Sequence, residues 1–159
     1  MAKRLDDIQR VIRGEIPEAP VWRLVGFRTI AAAEGEATLE IEASERHANP
    51  MGTLHGGVLC DVADAAMGVA FATTLADDES FTTLELKINF LKPVWSETLR
   101  AVGKVVKRGR SVGMVECDVK NQRGELVARA TSTCMVLRGT QASGRQGAPR
   151  VAATLDCLA

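Results

Sequence analysis

The sequence predicts an α+β domain in which a six-stranded antiparallel sheet wraps one long helix. Three observations predict it. A single stretch, Val58 to Leu75, keeps helical periodicity and is apolar on nearly every side. Six other segments read as strands, and several are joined by short turns, as antiparallel neighbours are. The chain has 159 residues, within the roughly 100–200 of one domain.

The elements follow in order. Leu5, Ile8, Val11 and Ile12 stand at helical spacing, which predicts a helix over 4–13 that Gly14 can end. Pro17 and Pro20 break the next segment, so 1–20 reads as an N-terminal helix and linker. From Val21 to Ala33 the chain is apolar and β-branched enough for a strand. Glu34-Gly35-Glu36 makes a turn, and Ala37 to Ala43 alternates, with Leu39 and Ile41 on one face. Arg46 to Gly57, rich in glycine and holding Pro50, predicts irregular backbone.

Beyond the helix and Asp77-Asp78-Glu79 the strands resume. Leu84, Leu86, Ile88 and Phe90 share one face of the next strand, with Glu85, Lys87 and Asn89 on the other, and Pro93 ends it. Leu99 to Lys107 follows and turns at Arg108-Gly109-Arg110. Val112 to Lys120 is next; after a turn at Asn121-Gln122-Arg123-Gly124, Glu125 to Leu137 closes the series. The main domain is therefore 21–138. Over 139–159, Gly, Ser, Gln, Pro and Arg dominate, and the segment reads as a mobile tail whose apolar last residues can dock on a partner subunit.

Composition narrows the function classes. Hydrophobic residues make up 46% and charged residues 25%, the balance of a globular rather than a disordered chain. Lys plus Arg (20) equals Asp plus Glu (20), which argues against a nucleic-acid partner, whose phosphates call for a basic excess. No apolar stretch is long enough to cross a bilayer, and the N-terminus lacks the apolar core of a secretory signal. Cys60, Cys117, Cys134 and Cys157 form no C-x-x-C pair. The expectation is packed thiols in a reducing cytoplasm, with Cys157 in the tail.

Two acidic residues, Asp61 and Asp64, interrupt the central helix. On a wheel of about 100° per residue, Asp64 falls between Phe71 and Leu75, inside apolar surface. An ionised carboxylate there is costly unless paired, which marks a candidate for function. The bland alternative is a solvated carboxylate, or one that charges the first turns of the helix. Ahead of the helix stands His55-Gly56-Gly57. Its free N–H groups suit a phosphate or a carbonyl oxygen becoming an oxyanion; equally, it can be an ordinary glycine turn. It is neither a Walker loop nor G-x-G-x-x-G. His47, His55, Asp61 and Asp64 have no pairing on a helix face that suits a metal, so none is expected. Ser80, Ser96 and Ser111 lack the G-x-S-x-G context of a serine hydrolase.

The run from Asn49 through His55-Gly56-Gly57 to Asp64 resembles the hotdog-fold acyl-CoA thioesterases, and within them the PaaI-like group. The motif is Asn, six residues to His-Gly-Gly, then nine from that His to an acidic residue, and the spacing here is the same. Thr82 to Pro93 is similar to the group's next strand, and Arg108-Gly109-Arg110-Ser111 to its basic turn. The resemblance covers about residues 20–138. It implies a hotdog fold, at least a homodimer with active sites at its interface, a homotetramer in many members, and an acyl-CoA substrate with no cofactor. By motif position, Gly56 N–H would polarise the thioester carbonyl, and Asn49 and His55 would position it or its water. Asp64 from the other subunit would be nucleophile or general base. Thr83 would orient the attacking water. Arg108 and Arg110, with Gly109 and Ser111, would meet CoA phosphates.

Rivals remain at this point. A non-catalytic acyl-CoA-binding relative would lack the helix acid, which Asp64 supplies. A hydratase-type relative carries His five positions after its Asp, where this chain has Val69. A plain structural dimer leaves Asp64 unexplained. The acyl pocket is expected to draw on Met51, Leu54, Leu59, Met67, Phe71 and the start of the strand in the 80s. It gives no choice between aryl and medium-chain groups.

Overall fold

The computed structural model describes residues 3–145. Its helices are α1 (Lys3–Ile12), α2 (Pro20–Val25) and α3 (Gly56–Ala72). Its strands are β1 (Phe27–Ala33), β2 (Glu36–Glu42), β3 (Ser80–Phe90), β4 (Thr98–Arg108), β5 (Val112–Asn121) and β6 (Leu126–Leu137). The strands form one antiparallel sheet in the order β1-β2-β4-β5-β6-β3. This is the wrapped-helix architecture expected from the sequence.

The sheet curves around α3, which packs chiefly on β4, β2 and β5. Small residues allow the close approach: Ala63, Ala66 and Ala70 are wholly buried. At Gly103 on β4 a Cβ would lie only 2.4 Å from the Ala66 carbonyl oxygen. Phe71, Met67 and Val62 from α3 meet Leu39, Ile41, Leu99, Val115 and Val119 from the sheet in one core. Each large side chain buried there contributes about 1.5–3 kcal/mol.

The segment from Val21 to Ala33 is not one strand. Its first part is α2, and only Phe27–Ala33 is extended. Pro20 starts the helix with a fixed φ where no N–H is needed. Gly26, at φ 95, ends it in the left-handed region and donates its N–H to Trp22 O at 2.7 Å. These two residues outweigh the β-branched content between them. The central helix also starts earlier than expected, at Gly56, and stops at Ala72. Leu75 therefore lies beyond the helix and off the wheel on which it was set beside Asp64.

β3 departs from simple alternation. Its pairing with β6 slips between Thr83 and Glu85, which leaves Leu84 as the extra residue of a bulge, 53% exposed. The bulge changes the phase of the strand. Phe81 and Thr83 reach α3 before it, while Leu86 and Ile88 pack on the core and Phe90 reaches α3 after it. Without that slip, Thr83 would share a face with Glu85.

α1 lies across the outer side of α3 and β1. Gln9 Nε2 donates to Ala32 O at 2.7 Å, and Ile8 packs against the core. Past β6, Gly139–Ala142 forms a 3-10 turn with Ala142 buried. Residues 146–159 of the expected tail, Cys157 among them, lie outside the described residues. Among the described residues no helix is long and apolar enough to cross a membrane.

Candidate active site

The N-terminus of α3 is built by its own cap. His55 Nδ1 accepts the Gly57 N–H at 2.8 Å, and His55 O accepts from Val58 N–H at 3.0 Å. Among the described residues the Gly56 N–H has no acceptor. It stands at the positive end of a helix of 17 residues, where negative charge is stabilised. The bond to Nδ1 assigns the proton of a neutral His55 imidazole to Nε2, which is a donor on an exposed side chain. The ring of Phe90 covers Gly56: a Cβ there would lie 2.9 Å from its Cζ.

Asn49 shapes the loop that leads to His55. Its Oδ1 accepts the N–H groups of Met51 (2.9 Å) and Thr53 (3.2 Å), and its Nδ2 donates to Thr53 Oγ1 at 2.9 Å. One amide hydrogen is left over. His47 is buried and holds the end of α2: its Nε2 bonds Val25 O at 2.8 Å, while Nδ1 accepts the Ser44 N–H at 3.2 Å.

Asp64 sits two turns along α3, on the strip it shares with Asp61 and Gly68. It is not enclosed in core but exposed in the single chain. Thr83 Oγ1 donates to its Oδ1 at 3.3 Å. Partial burial pushes the Asp64 carboxyl above its ordinary value, and nearby Asp61 adds to that, while the Thr83 hydrogen bond pulls the other way. The carboxylate borders a cavity of about 380 Å³ whose walls are mostly apolar: Ile8, Trp22, Phe27, Val69 and Phe81. Sequence reasoning placed the pocket elsewhere. Leu54, Leu59, Met67 and Phe71 are buried in the core, and Met51 is 81% exposed. Only the start of β3 lines the cavity as expected.

The basic turn divides its residues. Arg108 faces inward: Nη2 meets Glu79 Oε2 at 2.8 Å, Nη1 donates to Gly109 O, and the guanidinium lies 5.4 Å from the Phe71 ring centre. Glu79 also accepts from Arg138 and from the Ala76 N–H. Gly109 closes the turn with its N–H on Val112 O at 2.9 Å. Arg110 and Ser111 are exposed at its tip.

Burial alone would push the Glu79 carboxyl up, but the Ala76 N–H and the two arginines outweigh it and hold the carboxyl below its ordinary value. A carboxylate so depressed adds stability above the usual Glu range, and that stability is lost as pH falls through its folded pKa. Glu79→Gln is expected to cost about 3 kcal/mol near neutral pH, because the half-buried Arg108 guanidinium loses the buried carboxylate that pairs with it. Thermal unfolding of wild type and variant should differ by roughly 6–12 °C there, and the gap should close at acid pH. An equal gap at all pH values would show that shape, not charge, joins these elements.

Comparisons with known proteins give the family. Residues 51–128 match the sequence profile of the Thioesterase superfamily. A Saccharolobus solfataricus protein assigned as an esterase is 34% identical over 118 residues, covering 74% of this chain and 84% of that one. The human acyl-coenzyme A thioesterase 13 is 25% identical over 136 residues, covering 84% and 96%. A solved structure from Ralstonia eutropha JMP134, assigned as a thioesterase related to phenylacetic acid degradation, superposes with a TM-score of 0.73 at 34% identity. It covers 81% of this chain and 98% of that one. The chain therefore belongs to the thioesterase superfamily and is a thioester hydrolase of the hotdog fold.

Proposed function

We propose that the protein hydrolyses acyl-CoA thioesters carrying aryl or medium-chain acyl groups, at a site shared by two copies of the chain. The observation that carries this reading is the division of chemistry along α3. The unspent Gly56 N–H and the Asp64 carboxylate are about 12 Å apart along the helix and about 80° apart around it. One chain cannot place both on a single carbonyl group.

β3 offers the remedy. It runs beside both groups, with Thr83 at Asp64 and Phe90 against Gly56. Among the described residues its outer edge has no partner strand. Leu84 (53%), Phe90 (54%) and Leu91 (56%) give that edge exposed apolar surface. Antiparallel pairing with a second β3 about a two-fold axis sets the Thr83 end of one against the Phe90 end of the other. Asp64 then faces the helix N-terminus of the partner, and the dimer holds two equal sites.

In such a site the Gly56 N–H receives the carbonyl oxygen as charge grows on it. Asp64 acts from the other side. It attacks the carbonyl carbon, or takes a proton from a water that Thr83 helps to hold. The tetrahedral intermediate then expels the CoA sulfur with the electrons of the C–S bond; in the first route water then cleaves the mixed anhydride left on Asp64, and in the second the proton that Asp64 took from water passes to the CoA thiolate. His55 Nε2–H and the spare Asn49 hydrogen steady the thioester. Arg110, with Gly109 and Ser111, is offered to the CoA phosphates, while Arg108 braces the turn through Glu79.

The test is complementation. His55→Ser keeps a helix cap but removes the outward donor. Asp64→Asn removes the carboxylate. Equal mixing with subunit exchange makes half the dimers hybrid, each with one intact site. Activity should return to about one quarter of wild type, measured as thiol release from a panel of aryl- and alkyl-CoA esters. Recovery no greater than the sum of the two variants would place the site within one chain. No turnover by wild type, with acyl-CoA binding intact, would make this an acyl-CoA-binding protein.

A further inference from the structure

The cavity beside Asp64 adjoins a second one, of about 440 Å³. The two share Ile8, Trp22, Val69, Ala72 and Phe81 as common lining. The first reaches from Asp64 and Thr83, and the second continues to Ser80 and ends among Arg4, Asp7 and Glu18. α1 and α2 supply Ile8 and Trp22, so these helices roof both. Neither helix falls within residues 51–128, where the superfamily profile matches.

Two rulers give the length of this track. Asp64 to Ala72 is eight residues of α3, about 12 Å. Thr83 to Ser80 is three steps of β3, about 10 Å. The charged side chains at the far end set a limit, since an apolar chain passing them would desolvate them. A track of that length, apolar along its course and charged at its end, fits a straight hydrocarbon chain better than a short aryl group.

We infer that the N-terminal helices α1 and α2 form the acyl-binding channel and select straight-chain acyl groups of roughly eight to twelve carbons, extended along α3 from Asp64. This rests on the thioesterase reading above. The chain that supplies Asp64 also supplies the channel. Specificity is then set by residues far from the motif in sequence, with Ile8 and Ala72 gating passage from the first cavity to the second.

The test is kcat/KM over straight-chain CoA esters from four to fourteen carbons, with phenylacetyl-CoA beside them. In wild type, kcat/KM should rise by up to about fourfold per methylene while the chain is being buried. It should peak near ten carbons, at least tenfold above both butyryl- and phenylacetyl-CoA. Ala72→Phe and Ile8→Trp narrow the same passage from two different elements. Both should move the peak to shorter chains and cut the decanoyl-to-butyryl ratio at least tenfold. The ratio is internal to each protein, so a general loss of folded enzyme leaves it unchanged. A preference for phenylacetyl- or butyryl-CoA, or variants that scale every substrate equally, would overturn the channel and leave hydrolysis standing. No turnover of any ester by wild type would overturn the thioesterase reading and the channel with it.

Discussion

Asp64→Asn is expected to lower kcat for thioester hydrolysis by about 10³-fold and to leave thermal stability unchanged or slightly raised. The loss follows from chemistry: an amide at position 64 neither attacks a carbonyl nor accepts a proton from water. The stability result follows from the sign of the pKa shift. Burial raises the Asp64 carboxyl above its ordinary value of 3.8. A group raised in this way adds stability below its unfolded pKa, and that stability is lost as pH rises through the folded pKa. At neutral pH the ionised carboxylate therefore contributes none, and a neutral isostere removes a strain. The wild-type rate should rise with pH to a plateau, with its midpoint above the ordinary Asp range. Thr83→Val deletes the hydrogen bond that pulls the pKa down, so its midpoint should lie higher still. An Asn variant as active as wild type would remove Asp64 from the reaction.

The candidate site was legible in the sequence because its parts lie close together along the chain. The capping histidine, the free N–H and the carboxylate all fall within His55 to Asp64, and one helix fixes their spacing. The buried helix was legible for the same kind of reason: apolar residues on nearly every side leave it only the narrow strip of Asp61 and Asp64 outside the core. Four things were not legible. α2 was hidden by β-branched residues, although Pro20 and Gly26 marked its ends. The bulge at Leu84 changes phase without any glycine or proline to signal it. The inward turn of Arg108 depends on Glu79, which the fold brings across from the loop just ahead of β3. The cavities were the least visible of all. Ile8, Trp22, Val69 and Phe81 come from four elements, and no period in the sequence says which linker will cover which face of a helix.

Gly103→Ala is expected to destabilise the protein by about 4 kcal/mol or more, beyond the usual range for one methyl group. The added Cβ would lie 2.4 Å from Ala66 O, 2.5 Å from Ala66 C and 2.8 Å from Met67 N. All three are backbone atoms in the middle of α3, so no rotamer change can relieve the overlap. The helix must move off β4, and that opens the core where Val62, Met67 and Leu99 interlock. A fall of roughly 8–16 °C in Tm is expected for a domain of this size. Gly68→Ala is the matched control. That Cβ would meet only the Phe81 ring edge, at 3.4 Å, and alanine favours a helix interior over glycine by up to about 1 kcal/mol. Its Tm should stay within a few degrees of wild type. If the two variants unfolded at the same temperature, close packing of helix on strand would not be what fixes α3 in the sheet. The proposed two-chain site ties this to function, because α3 carries Gly56 at one end and Asp64 in its middle. In that proposed site, a helix displaced from β4 would change where each of them meets its counterpart across the dimer. Gly103→Ala should therefore lose hydrolysis at temperatures well below its own unfolding, whereas Gly68→Ala should lose it only on unfolding.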